Sequence, residues 1–137
     1  MAGKKGNADE TLQLLKCIVD AIEEKKGLDV VSIEIGELQN AVCDYFVICH
    51  ANSTTQVDAI AGNIEFKTLE LQNQRVYRSS GYENAIWIVL DYIDIVVHVF
   101  LSEWRNYYKI EELWADGKLC RYSDPDDDFS SMQPATF

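Results

Sequence analysis

Between Asp9 and Lys26 the apolar residues Leu12, Leu15, Ile18, Val19 and Ile22 recur at helical spacing, and Gly27 is placed to end the last turn. Leu28 to Ile35 then alternates, Val31, Ile33 and Ile35 against Ser32 and Glu34, which is the period of a half-buried strand. Tyr45 to Cys49 is a nearly unbroken apolar run and predicts a central strand. Ser53-Thr-Thr-Gln56 has the form of a capping box, opening a helix with Val57, Ile60, Ala61, Ile64 and Leu71 inward and an end near Asn73. Arg75 to Arg78 predicts a short strand, followed by a turn at Ser79, Ser80 and Gly81. Ile86 to Leu90 and Ile95 to Phe100 carry the strongest strand signals, with only Asp91, Tyr92, Ile93 and Asp94 between them. A parallel crossover needs about a dozen residues or more, so this link predicts an antiparallel hairpin. Ser102 is placed to cap a last helical segment that carries Trp104, Tyr107 and Tyr108 and runs to Leu113 and Trp114 before Gly117.

This order predicts an α/β (α+β) fold: a mixed sheet of about five strands, with helices mainly on one face. The other face is then under-covered, and large apolar residues left there make a docking patch. Alternation puts Trp87, Val89 and Asp91 on one face of the hairpin and Ile88, Leu90 and Tyr92 on the other. Trp87, Tyr92, Trp104, Tyr107, Tyr108 and Trp114 all fall in the last third of the chain. Trp and Tyr serve as core and as interface anchors, so both uses stay open for each.

The chain of 137 residues predicts one domain, and an apolar fraction of 47% supports a folded core. Residues 1–8 read as a flexible arm, 9–117 as the domain and 118–137 as a flexible acidic tail containing Asp124-Pro-Asp-Asp-Asp128. No run reaches the roughly 18 apolar residues of a membrane helix. The start, MAGKKGNADE, lacks the apolar stretch of a secretory signal, and a cytoplasmic location is expected. Cys17, Cys43, Cys49 and Cys120 show neither CxxC pairing nor a disulfide framework and read as reduced thiols. Net charge is −11, and up to Gly117 ten basic residues against nineteen acidic ones leave −9. Nucleic-acid affinity rests largely on basic side chains at phosphates, so RNA or DNA is a poor candidate for the main contact. Basic protein surfaces are better ones, although acidity also serves solubility alone.

Chemistry finds little purchase. Asp91 and Asp94 resemble a metal-binding carboxylate pair, but a spacing of three puts them on opposite faces of a regular strand. A turn is the simpler use of the pair. His50 and His98 are the only histidines, and Cys49 beside His50 points to the opposite strand face. No catalytic residue, metal or cofactor is expected.

The blocks Asp44-Tyr-Phe-Val-Ile48, Asn52-Ser53, Ala59-Ile-Ala61, Gly81, Trp87-Ile-Val-Leu-Asp-Tyr92 with Asp94, Val97-His-Val-Phe100, Arg105, Tyr108, Glu111 and Leu113-Trp114 follow in one colinear order. In that order the chain, from about Leu12 to Gly117, resembles the ribosomal silencing factors, also called Iojap-like or RsfS proteins. The resemblance implies a homodimer with a nucleotidyltransferase-like fold that lacks the catalytic motif. It further implies binding to the fourteenth protein of the large ribosomal subunit, where the small subunit docks. Subunit joining is thereby blocked and translation repressed when nutrients are short. Large-subunit maturation is a second role in such proteins. Carried over by position, the partner contacts are Trp87, Asp91, Tyr92, Asp94, His98, Arg105 and Tyr108. Asp91 and Asp94 would face basic side chains, and Trp87 and Tyr92 would supply buried area. The chain departs from the family pattern in three places: Ile93 for a common Gly, Ser102 for a common Pro, and the block Cys49-His-Ala51 for a small-residue turn. The rival readings are a large-subunit assembly factor and a nucleotide-binding or nucleotidyl-transferring enzyme.

Overall fold

A computed structural model of the protein describes residues 8–38, 41 and 43–122. In chain order the elements are α1 (Ala8–Glu24), β1 (Leu28–Glu34), β2 (Tyr45–Ala51), α2 (Thr54–Gln72), β3 (Arg78–Ser80), β4 (Trp87–Asp91), β5 (Ile95–Leu101), α3 (Ser102–Tyr108), α4 (Ile110–Leu113) and β6 (Lys118–Arg121). The six strands form one sheet in the order β3-β4-β5-β2-β1-β6. Only the central β2–β5 pair is parallel; α2, β3 and β4 lie between those two strands in the chain and supply the crossover. The predicted hairpin is present, with Trp87 opposite Phe100 and Val89 opposite His98.

Helices α1 and α2 cover one face, over Val47, Cys49, Ala51, Ile88, Leu90, Val97 and Val99. Leu14, Leu15, Ile18 and Ile22 of α1 point into that core, while Leu12 is 49% exposed. At the start of α2 the Ser53 hydroxyl accepts the Gln56 amide at 3.1 Å. The reciprocal half of the capping box is redirected. Gln56 Nε2 donates instead to the carbonyls of Lys25 and Lys26, both at 3.2 Å, and so ties the start of α2 to the end of α1. The inner stripe of α2 ends at Thr68, which is fully buried, whereas the expected Leu71 is 65% exposed. Asn73 closes the helix in the left-handed conformation (φ 53°).

Several local expectations need correction. Lys26, not Gly27, takes the left-handed conformation after α1 (φ 66°). Gly27 is needed for space, because a Cβ there would collide with the Ile22 side chain. Ser79 and Ser80 belong to β3, and the turn falls on Gly81 (φ +94°), whose absent Cβ would press on the Trp87 carbonyl. Strand β2, expected to end at Cys49, continues through His50 and Ala51. Ser102 begins α3 without capping it by its side chain. The last helical segment breaks at Lys109 (φ 49°) into α3 and α4. The expected acidic tail is ordered at its start: Lys118–Arg121 pairs antiparallel with β1 and gives the sheet its sixth strand. The Asp124–Asp128 run and the arm before Ala8 lie outside the described residues.

Candidate functional site

The second sheet face collects the alternate residues. Val31 and Ile33 come from β1, Phe46 and Ile48 from β2, Phe100 from β5 and Trp87 from β4. Short α3 and α4 lean on it through Trp104, Ile110 and Trp114, while Trp87, Val89 and Asp91 of β4 stay half-buried on that face. An aromatic series runs across that side. The Trp87 ring stacks on Phe100 at 5.0 Å and meets Tyr108 at 4.6 Å; Tyr108 in turn lies 5.9 Å from Trp104. Such offset ring pairs stabilise beyond their buried area. Tyr108 (42% exposed) stands beside half-buried Trp87, with Tyr107 (73% exposed) against it at 5.1 Å.

Arg105 fixes α3 in place. Its Nε and Nη2 reach Glu111 Oε2 at 2.9 and 2.7 Å. Its Nη1 reaches the Asp29 carbonyl at 2.7 Å and His50 Nδ1 at 2.9 Å. Asp29 is itself left-handed (φ 47°), within an irregularity of register between Leu28 and Val31. Burial, with the Arg105 charge adding to it, pushes the His50 pKa down. Deeper in the face, Trp87 Nε1 donates to His98 Nδ1 at 3.1 Å. His98 is 7% exposed, and burial lowers its pKa to about 4.

The seven residues expected to meet a partner therefore separate. Trp87, Asp91 and Tyr108 reach the surface of one face. Tyr92 does not: it is 7% exposed in the core beneath α2, where its hydroxyl pairs with Thr68 Oγ1 at 2.8 Å. Its contact area is spent internally. Arg105 and His98 are likewise buried and can influence a partner only through the residues they hold. Asp94 is 9% exposed, and its backbone carbonyl accepts the amides of Asp44 and Tyr45 at 2.8 and 3.1 Å. Asp91 Oδ1 accepts the Ile93 amide at 2.8 Å, so the two acids are engaged in shaping the hairpin turn. Among the described residues no group of three or more His, Cys, Asp or Glu side chains could hold a metal ion. All four cysteines are free thiols, and burial pushes Cys43 and Cys49 up to about 12. Sequence reasoning missed His50 as a partner of Arg105 because the two are 55 residues apart in the chain, and missed Glu111, six residues on, because the helix breaks between them at Lys109. The His98–Trp87 relation was recoverable, since the short hairpin link sets that register.

Long helices cover one side of the mixed sheet, and the second side carries the aromatic series and is partly open. Over residues 8–136 the chain matches the family described as ribosomal silencing factor during starvation, and it belongs to that family. It is 40% identical over 104 residues to the ribosomal silencing factor RsfS of Halalkalibacterium halodurans, covering 76% of this chain and 87% of the relative. It superposes on the crystal structure of a Chromobacterium violaceum protein with a TM-score of 0.71 at 31% identity, covering 76% of this chain and 85% of the other. A more distant relative, 24% identical over 136 residues, is the mouse protein named mitochondrial assembly of ribosomal large subunit protein 1; 88% of this chain and 59% of that one are covered.

Proposed function

We propose that this protein silences ribosomes by docking the Trp87–Tyr108 side of its sheet on the large subunit. The contact is with the subunit's fourteenth protein, and the bound domain, acting in the cytoplasm as a homodimer, obstructs joining of the small subunit by bulk alone. The observation that carries the reading is the aromatic series at the open sheet face, with Tyr107 and Tyr108 exposed beside Trp87. Apolar rings in that position gain by being covered. A net charge of −11 favours a basic protein partner, and Asp91 lies on the same face as Trp87. No step of this mechanism requires a reaction.

Co-sedimentation of the purified chain with separated large and small subunits, at several salt concentrations, tests the proposal. Binding is expected to large subunits only. Tyr108→Ala and Trp87→Ala should each weaken it by about 2 kcal/mol, as truncation of an interface anchor does. Tyr108 is the cleaner probe, since Trp87 also packs on Phe100 and thermal melting must show its variant folded. Two folded variants that sediment like the unaltered chain would remove this face from the account.

The name of the mouse relative favours a second reading, a role in assembling the large subunit. Sucrose gradients of depleted cells separate the two. Accumulating precursor particles mark assembly, whereas normal subunits with excess translation in starved cells mark silencing.

A further inference from the structure

We infer that His98 is a positioning residue for docking: by accepting the Trp87 Nε1–H bond on Nδ1 it turns the indole's polar edge inward, so that a long basic side chain of the partner meets only aromatic carbon. The inference rests on the docking reading above and adds the chemistry of its central anchor.

An indole nitrogen only donates, so the 3.1 Å contact with His98 Nδ1 requires a lone pair on that atom. The neutral imidazole must then carry its proton on Nε2. Strand pairing explains how the two meet. Phe100 is directly opposite Trp87, and His98, two residues before Phe100, is the diagonal neighbour on the same face. The His98 ring is held at both sides, 5.0 Å from Phe46 and 6.2 Å from Phe100, so its position is set by packing.

Stability does not account for a histidine here. Nε2 is buried with no hydrogen-bond partner among the described residues, a standing cost that a leucine of similar size would avoid. The return for that cost appears at Trp87. An indole N–H left at a docking surface demands an acceptor from whatever covers it. With that demand met internally, the half-buried ring offers π density and C–H groups only. A chain of charge −11, with Asp91 further along the same strand face, draws cations to such a ring. A lysine or arginine side chain lying across Trp87 is the matching group.

The test compares His98→Leu, which removes the acceptor, with His98→Asn, whose amide oxygen can take the place of Nδ1. In the full chain, the Trp87 indole N–H is followed by NMR, identified by its loss in Trp87→Phe, and large-subunit binding is followed by co-sedimentation. The leucine variant should melt no lower than the parent, lose the hydrogen-bonded position of the indole proton, and bind about tenfold more weakly, the worth of one neutral hydrogen bond's positioning. The asparagine variant should restore both readouts. Should the leucine variant unfold, His98→Met makes the same comparison. Parent-like binding by the leucine variant overturns the inference, and so does an asparagine variant that regains the indole signal without regaining binding. A parent chain that ignores large subunits is a different failure, visible before any substitution, and it removes the docking reading together with this one.

Discussion

Arg105 and Glu111 are joined across the break at Lys109, with two guanidinium nitrogens on one carboxylate oxygen at 2.7 and 2.9 Å. The same guanidinium reaches back to the Asp29 carbonyl, so one side chain links α3, α4 and the irregular start of β1. Helix α3 is seven residues long and has no side-chain cap, too short to hold itself. Arg105→Met should therefore cost about 2 kcal/mol in urea unfolding, because it leaves the part-buried Glu111 carboxylate and the Asp29 carbonyl without their charged donor. Arg105→Lys should recover less than half, since a single ammonium cannot reproduce the fork. A methionine variant within experimental error of the parent would show the network to be idle.

The protein should lose stability in mild acid. Burial lowers the His98 pKa from 6.5 to about 4, and His50 is shifted the same way. Between these values the unfolded chain takes up a proton that the folded one refuses. The stabilisation is thus complete above pH 6.5 and declines as the pH falls toward 4. For His98 this amounts to about 2 kcal/mol lost between pH 7 and pH 5. Urea midpoints at the two pH values, for the parent and for His98→Asn, measure it. Equal losses in both would place the titration elsewhere.

Ile93 holds a left-handed backbone (φ 77°) in the hairpin link, with its amide on Asp91 Oδ1. A β-branched residue is strained there and glycine is not. Ile93→Gly should stabilise the fold by about 0.5–1 kcal/mol, net of the larger entropy glycine loses on folding. A lower melting temperature would mean that the half-buried isoleucine side chain contributes more than its backbone costs.

Strand β6 makes the domain longer than its charge pattern suggests. The Tyr122 hydroxyl pairs with Ser32 Oγ at 2.8 Å, and the Tyr122 amide donates to the Val30 carbonyl at 2.9 Å. Tyr122→Phe should cost about 1 kcal/mol, leaving the 3%-exposed Ser32 hydroxyl without this partner. Ending the chain at Gly117 should cost about 2 kcal/mol or more, since it strips four residue pairs from the outer side of β1. Melting curves that superpose would make β6 dispensable.

The two long helices, the Ser53 cap and the β4–β5 hairpin follow from the chain alone, because each depends on residues near one another in sequence; β1, expected to be half-buried, is instead buried on both faces, Ser32 included. Periodicity likewise set Trp87 on one face of the hairpin and Tyr92, just past the end of β4, on the other. Which face lay under α2 was decided by packing, and it sent Tyr92 into the core while leaving Trp87 to the surface. The polar segment after Gly117 carries no strong strand period of its own; β1's outer edge makes β6 a strand by supplying hydrogen-bond partners. Arg105 reads locally as a surface cation, and Glu111 across the helix break together with distant groups on β1 and β2 turns it into a buried clamp. Short-range spacing thus settled most elements, while burial and pairing between segments far apart in the chain settled which polar groups are internal and which stay at the surface.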